Sequence, residues 1–271
     1  MFKRLFGHCW SVINVTERYV EQSVVGGVSN STVVSAFDTV ARKKVVLKKA
    51  KNSIEKRNNI DEYALLKSLN HPNIIDPTDL VTEGLGFMVL PSYNGDMYDR
   101  IMKKKPSQEE TRTFVRKLSS AVYYIHSLNI AHRDIKPDNI LVNNDYSTVV
   151  LSDFGFSTNI STKPTDLCGT MSYLSPEAYR AVQNRDFSGN LDWKKCDVFS
   201  LGVTFYTICE FMKLVIREDR KPENLEQHDI DQRIDSMTCD RSLKDLLKKM
   251  LAVDPSQRIS MDEVNKHPYL Q

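Results

Sequence analysis

The stretch AHRDIKPDNILV, Ala131 to Val142, sets a dense run of ionisable and amide side chains between two apolar runs. A lone Asp in such a place is usually a helix cap or a surface charge. Here Asp134, Lys136 and Asn139 stand at offsets of zero, two and five. LSDFGFS follows, with Asp153 ahead of Phe154 and Gly155.

The flanking patterns say what surrounds that loop. YVEQSVV, TVVSAF and KKVVLKKA, residues 19 to about 50, are rich in β-branched residues and read as strands. Residues 53–70 repeat apolar positions at Ile60, Tyr63, Leu66 and Leu69, a helical period that His71 and Pro72 end. GFMVLP is a further strand closed by Pro91. Ser107 followed by two glutamates opens a long helix. Short loops and strands run from Asn129 to about residue 177, and helices fill the remainder, with 217–241 a polar surface segment. The pattern predicts an α+β chain, with a small β-rich lobe carrying one main helix and then a larger, mainly helical lobe.

Bulk properties narrow the partners. With 37 basic and 35 acidic residues in 271, the net charge of +2 gives no electrostatic reason to expect nucleic acid or a membrane surface. The five cysteines, Cys9, Cys168, Cys196, Cys209 and Cys239, form no CxxC pair, which fits a reducing setting, cytoplasmic or nuclear. No apolar run is long enough to span a bilayer. The opening MFKRLFGHCW is interrupted by Gly7 and His8, so it is a poor signal peptide. Residues 1–18 read as an extension that packs on the first lobe.

The loop and its follower resemble the eukaryotic-type serine/threonine protein kinase family, whose pattern is H-R-D-x-K-x-x-N followed by D-F-G. The resemblance covers almost the whole chain and implies a bilobal fold over 19–271, with an N-lobe at 19–90, a hinge at 91–95 and a C-lobe at 96–271. It implies ATP and Mg²⁺, or Mn²⁺, as cofactors and Ser/Thr hydroxyls of proteins as acceptors. On this likeness Asp134 orients the attacking hydroxyl and accepts its proton, and Lys136 sits on the transferring phosphate. Asn139 and Asp153 are the metal ligands. Lys48 in VVLKK would hold the α- and β-phosphates, with Glu62 as its helix partner. Strand alternation puts Lys48, rather than Lys49, on the face of Val46. Val46 replaces the family's usual Ala.

Other positions follow residue by residue. CGTMSYLSPE, Cys168 to Glu177, resembles the substrate-receiving loop, where Thr170 bridges Asp134 and Lys136 and Ser175 replaces an Ala. Glu177 would pair with Arg258 of DPSQR as a structural ion pair. Asp197 in CDVFSLGV would hold the catalytic-loop backbone, with Phe199 in place of a Trp. Asp96 and Asp138 suggest a basic preference around the acceptor, although Thr207 stands where another glutamate is common. HPYL resembles the family's domain end, with no separate regulatory domain after it.

Three regions depart from the pattern. In VVGGVSNSTVVSA, Val24 to Ala36, the glycine positions of the phosphate-covering loop fall on Gly26, Val28 and Ser31, or on Gly27 in a shifted register. It reads either as a phosphate loop short of glycine or as a plain hairpin, with Val33 covering the adenine. In LPSYNGD, Leu90 is the gatekeeper and Pro91 has no N–H, so adenine contacts fall to Ser92 and Tyr93. In FSTNISTKPTDLCGT, Asp166 stands at the usual phosphothreonine position facing Arg133. Three readings remain open: a built-in charge at Asp166, making the chain constitutively active; phosphorylation of Thr165, with Ser161 and Thr162 behind it; or neither. Its degenerate glycine loop leaves a second reading of the whole chain, a pseudokinase that binds partners and holds nucleotide weakly. The sequence does not fix the oligomeric state.

Overall fold

The computed structural model describes residues 15–28, 31–161, 168–186, 191–211 and 225–271. Contacts divide the chain into two compact units, Met1–Lys67 with Asp76–Ser92, and Ser68–Ile75 with Tyr93–Gln271.

The first unit is built on one antiparallel sheet. Its strands are β1 (Tyr19–Val28), β2 (Ser31–Asp38), β3 (Lys43–Ala50), β4 (Asp79–Val81) and β5 (Phe87–Pro91), in the order β1-β2-β3-β5-β4. Alternation assigns the faces. Val34, Ala36, Val45, Leu47 and Val89 point one way and form a core with Tyr19. A four-residue helix, α1 (Val15–Arg18), precedes β1. Arg18 forms ion pairs with Asp38 at 3.0 Å and Asp79 at 2.9 Å, and the Tyr19 hydroxyl donates to Asp79 at 2.8 Å. These bonds join β1 to β4, the two edges of the sheet, so the twisted sheet curls until its ends meet.

Helix α2 (Ser53–Ser68) stops two residues earlier than the sequence pattern suggests. Its inner face also differs from the expected apolar stripe. Asn59, Glu62 and Leu66 are buried, whereas Ile60 is 36% exposed. Polar pairing sets the rotation: Glu62 meets Lys48, and the Asn59 amide donates to the Lys48 carbonyl at 3.2 Å. Two satisfied polar groups on the inner face outweigh the burial of one isoleucine.

Residues 68–75, which a linear division at residue 90 leaves in the small lobe, group with the second unit. His71 bonds Ser120 at 3.0 Å and stacks on Tyr124 at 5.3 Å between ring centroids. Both partners lie on α4 (Gln108–Ser127), whose start carries a complete capping box between Ser107 and Glu110. Ahead of α4 come β6 (Gly95–Asp96) and α3 (Met97–Lys103). Four short strands follow α4: β7 (Ile130–Ala131), β8 (Ile140–Val142), β9 (Val149–Leu151) and β10 (Thr158–Asn159). They pair as β6-β8-β9 and β10-β7.

The remaining helices are α5 (Pro176–Asn184), α6 (Trp193–Cys209), α7 (Gln227–Ser236), α8 (Arg241–Met250) and α9 (Met261–Asn265). Helix α6 is apolar around most of its circumference and buried along nearly its whole length, as a central core helix is. Gly202 lets it approach α8 closely: a Cβ there would sit 3.0 Å from the Met250 Cβ. No described helix is long and apolar enough to cross a membrane.

Candidate active site

The first unit carries Lys48 and its strand neighbours on the sheet face opposite its core. Lys48 pairs across the ladder with Val33 on β2 and Met88 on β5, and Val46 pairs with Leu90. Direct cross-strand partners share a face, and so do residues two apart. Val33, Val46, Lys48 and Leu90 therefore lie together, all half-buried. The Lys48 ammonium is 2.7 Å from a Glu62 carboxylate that is 5% exposed. Lys49 points to the other face and pairs with Glu21 at 2.5 Å.

Gly26 and Gly27 lie in β1, opposite Val33 and Thr32. The pairing continues to Val28 opposite Ser31, so the backbone is a hairpin with a two-residue link, 29–30, outside the described residues. Pro91 ends β5 opposite Val45, Ser92 closes the first unit, and Tyr93 begins the second.

The second unit builds the loop at 131–142 on α6. Asp197, 1% exposed, accepts from the backbone N–H of His132 at 2.7 Å and of Arg133 at 2.8 Å, and meets His126 Nε2 at 3.0 Å. One turn further on, the Ser200 hydroxyl donates to the Tyr173 carbonyl at 2.8 Å; two turns on, the Thr204 hydroxyl shares its proton between the Ser200 carbonyl at 2.8 Å and the Ile135 carbonyl at 3.3 Å. This polar stripe in an apolar helix holds a loop whose Arg133 has φ +69°, a conformation that needs external support.

Around Asp134 the groups converge. Its Oδ1 accepts from the Thr170 N–H at 2.9 Å and the Thr170 hydroxyl at 2.8 Å. Its Oδ2 lies 3.0 Å from the Lys136 ammonium, which also donates to the Thr170 hydroxyl at 2.7 Å. Thr170 thus bridges the two. Gly169 permits this approach: its φ is +108°, and an added Cβ would sit 2.8 Å from the Arg133 carbonyl.

Asn139 donates its amide N–H groups to the Asp134 carbonyl at 2.8 Å and to the carboxylate at 3.0 Å. That fixes the amide orientation and turns its oxygen away from Asp134. Asp153 sits at φ +58° ahead of Phe154, whose ring meets His132 edge-on at 4.7 Å. Ser152 joins the two segments, donating from both N–H and hydroxyl to the Asn139 carbonyl at 2.9 Å. An amide oxygen and a carboxylate are the hard donors Mg²⁺ prefers, so this set fits that ion.

Glu177 and Arg258 form a bidentate pair at 2.6 and 3.1 Å. Burial pushes the Glu177 carboxyl up, but the bonds and charge of Arg258 outweigh it and hold the group below the usual carboxylate range. Arg258 also donates to the carbonyls of Ala252, Lys195 and Val253, and lies 4.8 Å over the Phe199 ring. Ser175 caps α5.

Arg133 donates from Nε to the Phe156 carbonyl at 2.6 Å and stacks 5.2 Å over Trp193. Asp166, Thr165 and Thr162, expected to face it, lie outside the described residues. Asp96 caps α3, and burial with the nearby charges of Asp99 and Asp138 raises its carboxyl. Thr207 is fully buried, so it presents nothing to a substrate.

Sequence reasoning missed His126, Ser152, Ser200, Thr204 and Trp193. The available signal was the 3–4 spacing of Asp197, Ser200 and Thr204 inside an apolar helix.

Comparison with known proteins agrees with this geometry. The chain matches the family description "Protein kinase domain" over residues 19–270. It is 31% identical to an Aurora kinase of Yarrowia lipolytica over 88% of this chain and 61% of the relative. It is 32% identical to the phosphorylase b kinase gamma catalytic chain, liver/testis isoform, of Mus musculus, over 77% of this chain and 53% of the relative. Myosin light chain kinase A of Dictyostelium discoideum is 33% identical over 78% of this chain and 72% of its own length. The chain therefore spans between about half and three fifths of the first relatives it matches. Matched along nearly its whole length, the chain belongs to the protein kinase family.

Proposed function

We propose that the chain is an active serine/threonine protein kinase that uses MgATP. The observation that carries this reading is the arrangement around Asp134, where a carboxylate, an ammonium and a threonine hydroxyl are already bonded to one another. When bound, MgATP supplies the electrophilic γ-phosphoryl group, with Asn139 and Asp153 as its oxygen ligands. Asp134 accepts a hydrogen bond from the acceptor hydroxyl and takes its proton as the oxygen attacks. Lys136 offsets the negative charge that develops on the transferring group. Lys48, oriented by Glu62, holds the other phosphates. Thr170 fixes the rotamer of Asp134, so the base does not have to be ordered during the reaction.

Serine and threonine are the acceptors favoured by Lys136 two residues after the base. Asp96 and Asp138 favour basic residues near the acceptor. Asp166 remains the candidate for a built-in charge near Arg133, with phosphorylation of Thr165 as the rival; phosphatase treatment should leave activity unchanged on the first view and lower it sharply on the second. The odd number of cysteines, widely spaced and without a CxxC pair, supports a reducing compartment such as the cytoplasm.

The test is transfer of labelled γ-phosphate to a generic protein acceptor, followed by phosphoamino-acid analysis. The reading expects phosphoserine and phosphothreonine from the wild type, and a loss of about 10²–10⁴-fold in Asp134→Asn. Absence of transfer in the wild type, with nucleotide still bound, would support the partner-binding pseudokinase instead.

A further inference from the structure

Cys209 is the last residue of α6, and Cys239 lies in the link between α7 and α8. Both face a cavity of about 350 Å³ whose wall includes Pro106, Thr238, Leu243 and Tyr269. Arg112 stands at the same cavity, paired with Asp240 at 3.1 Å and lying 5.1 Å over the Tyr269 ring. Cys209 is 6% exposed, whereas Cys239 is only half-buried, so solvent reaches the cavity on the Cys239 side. Both thiols are free. No cluster of three or more His, Cys, Asp or Glu side chains that could hold a metal occurs among the described residues, which argues against a metal centre here. Cys196 makes a contrast: it is buried in the core beside Glu177, with its sulfur 3.5 Å from the carboxylate. Cys209 and Cys239 instead share an open space with room for a reagent.

We propose that Cys209 and Cys239 are a thiol pair that a low-molecular-weight disulfide, of the oxidised glutathione type, converts into an intramolecular disulfide through this cavity. The Cys239 thiolate attacks the reagent's disulfide, forming a mixed disulfide and releasing one small thiol. The Cys209 thiolate then attacks the Cys239 sulfur, closing the protein disulfide and releasing the second. Two electrons pass from the protein to the reagent, and the two thiol protons end on the released thiols.

The environment orders the steps. Burial pushes the Cys209 thiol up to about 12, and the neighbouring Cys239 adds to the rise. Burial raises Cys239 as well, with Lys244 and Lys105 opposing the rise and Glu210 and Asp240 adding to it, but of the two thiols it is the half-buried one. The half-buried cysteine therefore reacts first, and the reaction accelerates as pH rises. The product fastens the end of α6 to the segment leading into α8. The same helix carries Asp197, Ser200 and Thr204, which hold the loop around Asp134.

The experiment is incubation of the full chain, in native buffer, with excess oxidised glutathione, read by peptide-mapping mass spectrometry. The expected result is a Cys209–Cys239 cross-linked peptide, two fewer free thiols per chain, and a raised melting midpoint that dithiothreitol reverses. Cys209→Ser should stop at a stable glutathione adduct on Cys239, and Cys239→Ser should leave Cys209 unmodified. A stable adduct on Cys239 in the wild type, no reaction at either residue, or a cross-link formed only in denaturant would each overturn the proposal. The wild-type cross-link needs no variant, so it remains decisive even if Cys209→Ser fails to fold.

Discussion

Each unit of this protein contains an ion pair between a base and a glutamate in which one partner is buried, Glu62 in the first and Arg258 in the second, and the two are built differently. In the first, Lys48 meets Glu62 at 2.7 Å, from residues 14 positions apart. In the second, Arg258 meets Glu177 through two bonds across 81 positions, and the guanidinium is also tied to three backbone carbonyls and an aromatic ring. Arginine's planar fork locks a geometry; lysine's ammonium is a point charge on a flexible stem. The arginine pair suits a joint that must not move. The lysine pair suits a group that takes direction from its partner and still offers charge to a ligand.

Breaking the pairs should separate these roles. Arg258→Ala leaves the Glu177 charge uncompensated, and chemical denaturation should show a loss of about 3–5 kcal/mol, enough to unfold a marginal domain. Glu62→Gln keeps the shape of the first pair but removes the Glu62 charge beside Lys48. Steady-state kinetics should show a fall of about 10²-fold in kcat/KM, the size expected when a catalytic group is misplaced. Melting should shift less than in Arg258→Ala. Equal destabilisation by the two substitutions would erase the distinction.

Acid sharpens the same comparison. The folded-state value of Glu177 lies below its usual 4.5, so its contribution is complete above that value and is lost as pH falls through the folded one. Stability measured on the acid side of the usual carboxylate range should therefore drop in the wild type and be flatter in Glu177→Gln. The smallest effect is expected at the loop support. Thr204→Val removes a hydroxyl whose proton is shared between the Ser200 carbonyl at 2.8 Å and the Ile135 carbonyl at 3.3 Å, and should cost about 1 kcal/mol by denaturant titration.

The sequence carries the second unit's chemistry more legibly than the first unit's surface. Asp134, Lys136, Asn139 and Thr170 act at fixed short offsets or through a single bridging side chain, and spacing exposes such groups. The same holds for β3, where alternation separates Lys48 from Lys49. The apolar stripe expected on helix α2 is not its inner face, because Asn59 and Glu62 choose that face, and a hydrophobic period has no way to register a polar group that is paired. The support from α6 was partly hidden for a similar reason: serine and threonine inside an apolar helix look like filler until their carbonyl partners, Tyr173 and Ile135, are known. Residues 68–75 read as the end of a helix. Only the contacts of His71 with α4 show where they belong.

The central claim of the proposed function is that Asn139 and Asp153, both in the second unit, hold the divalent ion of a bound nucleotide. Calorimetric titration of the wild-type chain with ATP, in Mg²⁺ and again in a chelator, tests it most directly. The account predicts affinity in Mg²⁺ that weakens sharply in the chelator and in Asp153→Asn. Binding that is indifferent to the metal, or no binding at millimolar nucleotide, would contradict it.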